Sequence, residues 1–151
     1  MKLAEALLLR SEYQKRLENL QSRILANIKV QENENPLENP QELIGEALEL
    51  CERLCLLIQK INIRNNTAVL PTGQTLSQAI VERDMLMKKR NILASIAESA
   101  VEKNYRLTHA EVKMNVTISV QETQKQIDAL SQRFRELDAR IQGLNWTTDL
   151  D

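Results

Sequence analysis

The sequence predicts a mainly α fold, an antiparallel four-helix bundle or paired helical hairpins of coiled-coil character, with one small β element. Three observations carry that expectation. Apolar residues recur at three-and-four spacing through four long segments, the period that lines one face of a helix. The 151 residues are 42% hydrophobic but only 3% aromatic, with three glycines and three prolines, a composition suited to long helices and poorly suited to a turn-rich β fold. Tracts containing Pro, Gly and Asn separate the helical segments. This length fits a single helical domain over residues 1–151, able to bury roughly 70% of the surface of its unfolded chain.

Helix one is expected over residues 2 to about 30, with Leu3, Leu7, Leu17, Leu20, Ile24 and Ile28 along one face. Its stripe is interrupted at Arg10 and at Tyr13-Gln14. Gln31 to Pro40 is rich in Glu, Asn and Pro and reads as a loop. Residues 41 to 65 carry the seam Leu43, Ala47, Leu50, Leu54, Leu57 and Ile61. Beside it runs a second stripe of Ile44, Leu48, Cys51, Cys55 and Ile58. A helix apolar over more than half its circumference is either central or covered by a partner.

Pro71-Thr72-Gly73 predicts a tight turn, since Pro presets one dihedral and Gly accepts a positive φ. Thr75 and Gln78 form a capping box that starts helix three, expected to run to about Lys103. Its core positions include Leu76, Ile80, Leu86, Leu93, Ala97 and Val101. Residues from Glu111 to Ser119 alternate polar and apolar with β-branched side chains, which predicts a strand over about 111–118. Its backbone needs a partner, either the extended piece at Thr67 to Leu70 or a second subunit. Ser119 and Glu122 form another capping box. Helix four then runs over about 120–144 on the seam Ile127, Leu130, Phe134, Leu137, Ile141 and Leu144, ending near Gly143.

A formal net charge of −1 with 27% charged residues gives no bulk field for nucleic acid or anionic lipid. The N-terminus has no signal-peptide core, and no apolar run approaches the roughly 20 residues of a spanning helix, so a soluble cytoplasmic protein is expected. Cys51 and Cys55 share a helical face but lack the third and fourth ligands of a metal site, and His109 lies far along the chain. They read as reduced core thiols acting as small hydrophobes. His109 has no nucleophile motif beside it. Glu82 with Asp84, and Glu136 with Asp138, are two apart and diverge by about 200° around a helix, which makes them poor acid–base pairs. The sequence therefore predicts no enzyme, no cofactor and no metal.

Arginine at seam positions is the more unusual feature. Arg10, Arg83 and Arg90 stand where a hydrophobe is expected, and Asp84, Glu136 or Asp138 could supply the carboxylate that a buried guanidinium needs. An internal ionic layer fixing helix register is favoured over an anion pocket. Lys88-Lys89-Arg90 is the densest basic cluster, but no aromatic ladder accompanies it and it reads as a solvated face.

Three segments together resemble a family of small bacterial proteins of unknown function, some of which carry the name septicolysin. They are Met1 to Arg10, Thr75-Leu76-Ser77-Gln78-Ala79 with Glu82-Arg83-Asp84, and Arg135 to Gln142 followed by Asn145-Trp146-Thr147-Thr148. The resemblance covers nearly the whole chain, and the name implies a pore-forming cytolysin. No catalytic residues come with it. Glu82 to Leu86 and Arg90 to Leu93 also look similar to the transfer-RNA-binding helical arm of seryl-tRNA synthetases, which would imply nucleic-acid binding. Against these alternatives, the wide apolar face of helix two and the unpaired strand predict a self-associating helical protein, a homo-oligomer that works by assembly or by binding a protein partner.

Overall fold

The computed structural model describes residues 1–102 and 113–151. Four helices dominate it: α1 (Leu3–Asn27), α2 (Pro40–Thr67), α3 (Leu76–Val101) and α4 (Val120–Thr147). They pack in pairs, α1 with α2 and α3 with α4. The chain divides into two compact units, one of Met1–Val69 with Gln142–Asp151, the other of Leu70–Ile141.

In the first unit the predicted seams of α1 and α2 meet. Leu20, Leu43 and Leu50 form its core cluster, with Tyr13, Leu17, Ile24 and Ala47 packed around it. Each fully buried leucine is worth about 1.5–3 kcal/mol relative to exposure, so this interface outweighs any single surface contact. Arg16 pairs with Glu46 across the two helices. The α1–α2 connection is held by Asn27, whose amide donates to the Arg23 carbonyl at 2.9 Å and whose oxygen accepts from Glu38 N–H at 3.0 Å. Arg23 also grips the Glu38 carboxylate, its Nε at 3.0 Å. α2 then starts on Asn39, whose side chain accepts from Gln41 N–H at 3.0 Å, with Pro40 in the first helical position, where its missing N–H costs nothing.

The chain termini close this unit. Leu3 N–H donates to the Thr148 carbonyl and Leu150 N–H to the Met1 carbonyl, both at 2.9 Å. The antiparallel bridge pairs Lys2 with Asp149. Leu3 and Leu150 are buried beneath it.

The second unit begins with the predicted turn. Gly73 has φ +83°, a conformation that costs a glycine little. Leu70 N–H donates to the Gln74 carbonyl at 2.8 Å, and Gly73 N–H to the Leu70 carbonyl at 2.9 Å. The Thr75–Gln78 capping box forms with both bonds, Gln78 N–H to Thr75 Oγ1 at 3.2 Å and Thr75 N–H to Gln78 Oε1 at 3.0 Å. Leu76 and Leu86 of the predicted α3 seam and Ile127 and Ile141 of the predicted α4 seam are buried, as is Ala79, whereas Val101, expected in the α3 core, is exposed. Ser119 Oγ accepts from Glu122 N–H at 3.2 Å at the start of α4.

Three expectations are corrected. No strand forms at 113–118, whose residues are irregular and exposed on both alternating faces; alternation alone supplies no hydrogen-bonding neighbour. The remaining expected strand residues, 111 and 112, lie outside the described residues, as do His109 and Lys103. α3 ends at Val101 on a Glu102 cap. α4 does not stop near Gly143 but continues to Thr147, because Thr147 Oγ1 donates to the Gly143 carbonyl at 3.0 Å and Thr148 N–H to the Leu144 carbonyl at 2.9 Å. One interior glycine costs a helix only about 1 kcal/mol, which does not end it.

Candidate functional site

Three of the six charged candidates, Arg83, Asp84 and Asp138, meet in the α3–α4 hairpin. Arg83 is half-buried, and its Nη1 donates to Asp138 Oδ1 across the two helices at 3.0 Å. Its Nε and Nη2 both donate to Asp84 Oδ1 at 3.1 Å. Burial pulls the Arg83 pKa down, and the hydrogen bonds it donates to Asp138 and Asp84 more than reverse this, leaving it above its ordinary value. The guanidinium is therefore charged at every physiological pH. Glu136 is not part of this cluster: it is exposed and accepts from Gln132 on its own helix at 3.1 Å.

The other two seam arginines differ. Arg90 is half-buried and donates to its neighbour Asn91 at 3.2 Å. Arg10 is half-buried on α1 and has no hydrogen bond or ion pair among the described residues. Lys88 and Lys89 are exposed, so the basic cluster is split between seam and solvent. A cleft of about 300 Å³ lies between the turn at Thr72 and Gln74 and the flanks of α3 and α4, lined by Glu82, Arg133, Glu136 and Arg140. Its charges are mixed, with Gln74 donating to Glu82 at 2.8 Å and Arg133 standing 3.9 Å from the same carboxylate.

Residues 10–150 match the description "Family of unknown function (DUF6847)". The chain belongs to this DUF6847 family. It is also similar to a solved structure described as a functionally unknown conserved protein from Corynebacterium diphtheriae, at 38% sequence identity and a TM-score of 0.94, over 100% of this chain and 99% of that one. No curated protein matches the chain. Neither description contains the septicolysin name, so the family statement rests at unknown function.

Two outward faces of this DUF6847 chain were less legible in its sequence. Val81, Met85, Ile92 and Ile96 of α3 are 60%, 45%, 54% and 41% exposed. At 100° per residue they fall within about a 60° arc roughly opposite the α4 seam. A groove of about 610 Å³ follows this face past Asp84, Lys88, Asn91 and Ser95. The only sign of it in the sequence is that α3 has apolar residues left over once its seam is filled.

On α2, Leu48, Leu56 and Ile63 are exposed. Cys51 and Cys55, expected in the core, are both free and exposed. The correction has a simple cause: α2 carries two apolar stripes, α1 covers the one headed by Leu43, Leu50 and Leu57, and the thiols ride on the other. Among the described residues no helix is long and apolar enough to cross a membrane.

Proposed function

We propose that this DUF6847 protein is a non-enzymatic, self-associating helical protein, and that its docking surface is the outer face of α3 with a second copy of the chain as partner. One observation carries the reading: Val81 with Met85, and Ile92 with Ile96, form two exposed apolar patches on one side of α3, separated by the exposed Lys88 and Lys89, on a helix whose opposite side is already packed. A surface helix needs one apolar face, and a second one gains stability only when something covers it.

Charge supports a second copy as the occupant. In an antiparallel α3 pair centred near residue 86, Val81 of one copy meets Ile92 of the other, and Asp84 meets Lys88. Opposite charges then face each other in the middle of the pair, between the two Val81–Ile92 contacts, which fixes register. The non-enzymatic part is supported by the Arg83 cluster, where the guanidinium is held by ion pairs to Asp84 and Asp138.

Sedimentation equilibrium tests the reading. Covering a half-exposed isoleucine is worth about 1 kcal/mol, and Ile92 appears once in each copy. Ile92→Lys should weaken association by roughly 30-fold or more, while far-UV circular dichroism stays unchanged because the side chain faces outward. A protein strictly monomeric at tens of micromolar overturns the proposal.

A further inference from the structure

We infer that Cys51 and Cys55 form a dithiolate site on the outer face of α2 for one soft monovalent cation of the copper(I) class. The two cysteines are exposed and not joined by a disulfide, although free cysteine is among the most consistently buried residue types. They lie on adjacent turns in the interior of a 28-residue helix, so the backbone fixes their spacing before any ligand arrives.

That spacing suits a two-coordinate centre. Side chains four apart on a helix have Cβ atoms about 5–6 Å apart. With metal–thiolate bonds near 2.3 Å, two sulfurs on opposite sides of an ion stand about 4.6 Å apart, which rotation about χ1 on adjacent turns can reach. Soft thiolates select copper(I), whereas zinc demands about four ligands. Among the described residues no third His, Cys, Asp or Glu gathers with the pair, so the donor set matches the ion of low coordination number.

The surroundings fit the same chemistry. Gln59 Nε2 stands 3.5 Å from Cys55 Sγ and donates its N–H to the sulfur, the type of outer contact that orients a ligating side chain. Leu48 lies one turn before Cys51 and is exposed, giving the pair an apolar flank, with Glu52 on its other side. Arg53 pairs with Glu49 on its own helix. Binding releases the two thiol protons to solvent and forms two sulfur–metal bonds around an ion that enters and stays in the +1 state. No oxidant or reductant takes part.

The test is an anaerobic titration of the reduced full chain with copper(I), in competition with a chromophoric copper(I) chelator whose absorbance reports the free ion. The expected stoichiometry is one ion per chain. Cys51→Ser and Cys55→Ser should each lose more than the roughly 10–100-fold that removal of an outer-shell partner costs, and Gln59→Leu should fall within that range. A third variant, Arg53→Cys with Cys55→Ser, keeps two thiols but points them about 200° apart. Circular dichroism confirms that each variant is folded. Copper binding by this displaced pair as tight as the wild type overturns the site, as does one ion per two chains, and so does failure of the wild type to compete with the chelator.

Discussion

Replacing Asp138 by Ala should destabilise the α3–α4 hairpin by about 1–2 kcal/mol, an estimate set between two limits. Breaking a fully buried ion pair costs about 3–5 kcal/mol because a charge is stranded, while an exposed pair is worth about 0–1 kcal/mol. The side chains of Arg83 and Asp138 are 23% and 35% exposed, and Arg83 keeps its bonds to Asp84 after the substitution. The stranded charge is therefore partly solvated and partly paired, which places the cost near that of a charged hydrogen bond, about 1.5 kcal/mol. For a chain of this length that corresponds to a fall in melting temperature of roughly 3–6 °C. Replacing both partners, Arg83→Met with Asp138→Leu, gives the contrasting result, within about 0.5 kcal/mol of the wild type, since apolar residues at both seam positions leave neither charge of the pair stranded. Urea unfolding followed by circular dichroism on the two single variants and the double variant isolates the pair energy. A coupling below about 0.3 kcal/mol, or the apolar double replacement being more damaging than Asp138→Ala alone, would refute an ionic layer at this level of the hairpin.

Acidification should weaken the first unit. Glu38 is held below its ordinary 4.5 by the hydrogen bond from Arg23, Asp149 is held low by Lys2, and Asp151 by Lys60. Their folded values are depressed, so their contribution is complete above the unfolded values and is lost as pH falls through the folded ones. The urea midpoint should therefore drop between about pH 5 and pH 3, and a flat midpoint over that window contradicts the assignment. Thr75→Ala removes one side of the α3 capping box and should cost about 1 kcal/mol, read in the same unfolding experiment. Gly45→Ala should stabilise by roughly 0.5–1 kcal/mol, because a Cβ there meets nothing within 4 Å; a lowered melting temperature would show that another surface comes close at this point of α2.

Most of the fold follows from local chemistry that the sequence displays. The α2 seam is legible because its hydrophobes repeat without interruption, and the start of α3 because Thr75 and Gln78 satisfy each other without help from the rest of the chain. Over its described residues 113–118, the expected strand fails where it depends on something non-local: Val116 and Ile118 alternate correctly but are exposed, and a strand exists only through its neighbour. The same limit governs the thiols. Cys51 and Cys55 sit on one of two apolar stripes of α2, and periodicity ranks those stripes equally. Which of them faces α1 is decided by the partner helix, through the Leu20, Leu43 and Leu50 cluster.

The three seam arginines make the corresponding point about candidate sites. All give one signal, a guanidinium at a position that periodicity assigns to a hydrophobe, yet only Arg83 reaches a carboxylate on another helix. The reason lies in the antiparallel register that the Arg83–Asp138 contact sets. Seven residues along α3, Arg90 stands level with residue 131 of α4, and Ser131 is there instead of an acid. Arg90 turns to Asn91, as a long amphipathic side chain does when its stem can pack and its head can leave the seam. Ser131→Asp should therefore build a second ionic level in the hairpin. Its measurable consequence is a pair energy with Arg90 of about 0.5–1.5 kcal/mol in a double-mutant cycle. A coupling near zero would mean that the register inferred from Arg83 does not extend along the helix pair.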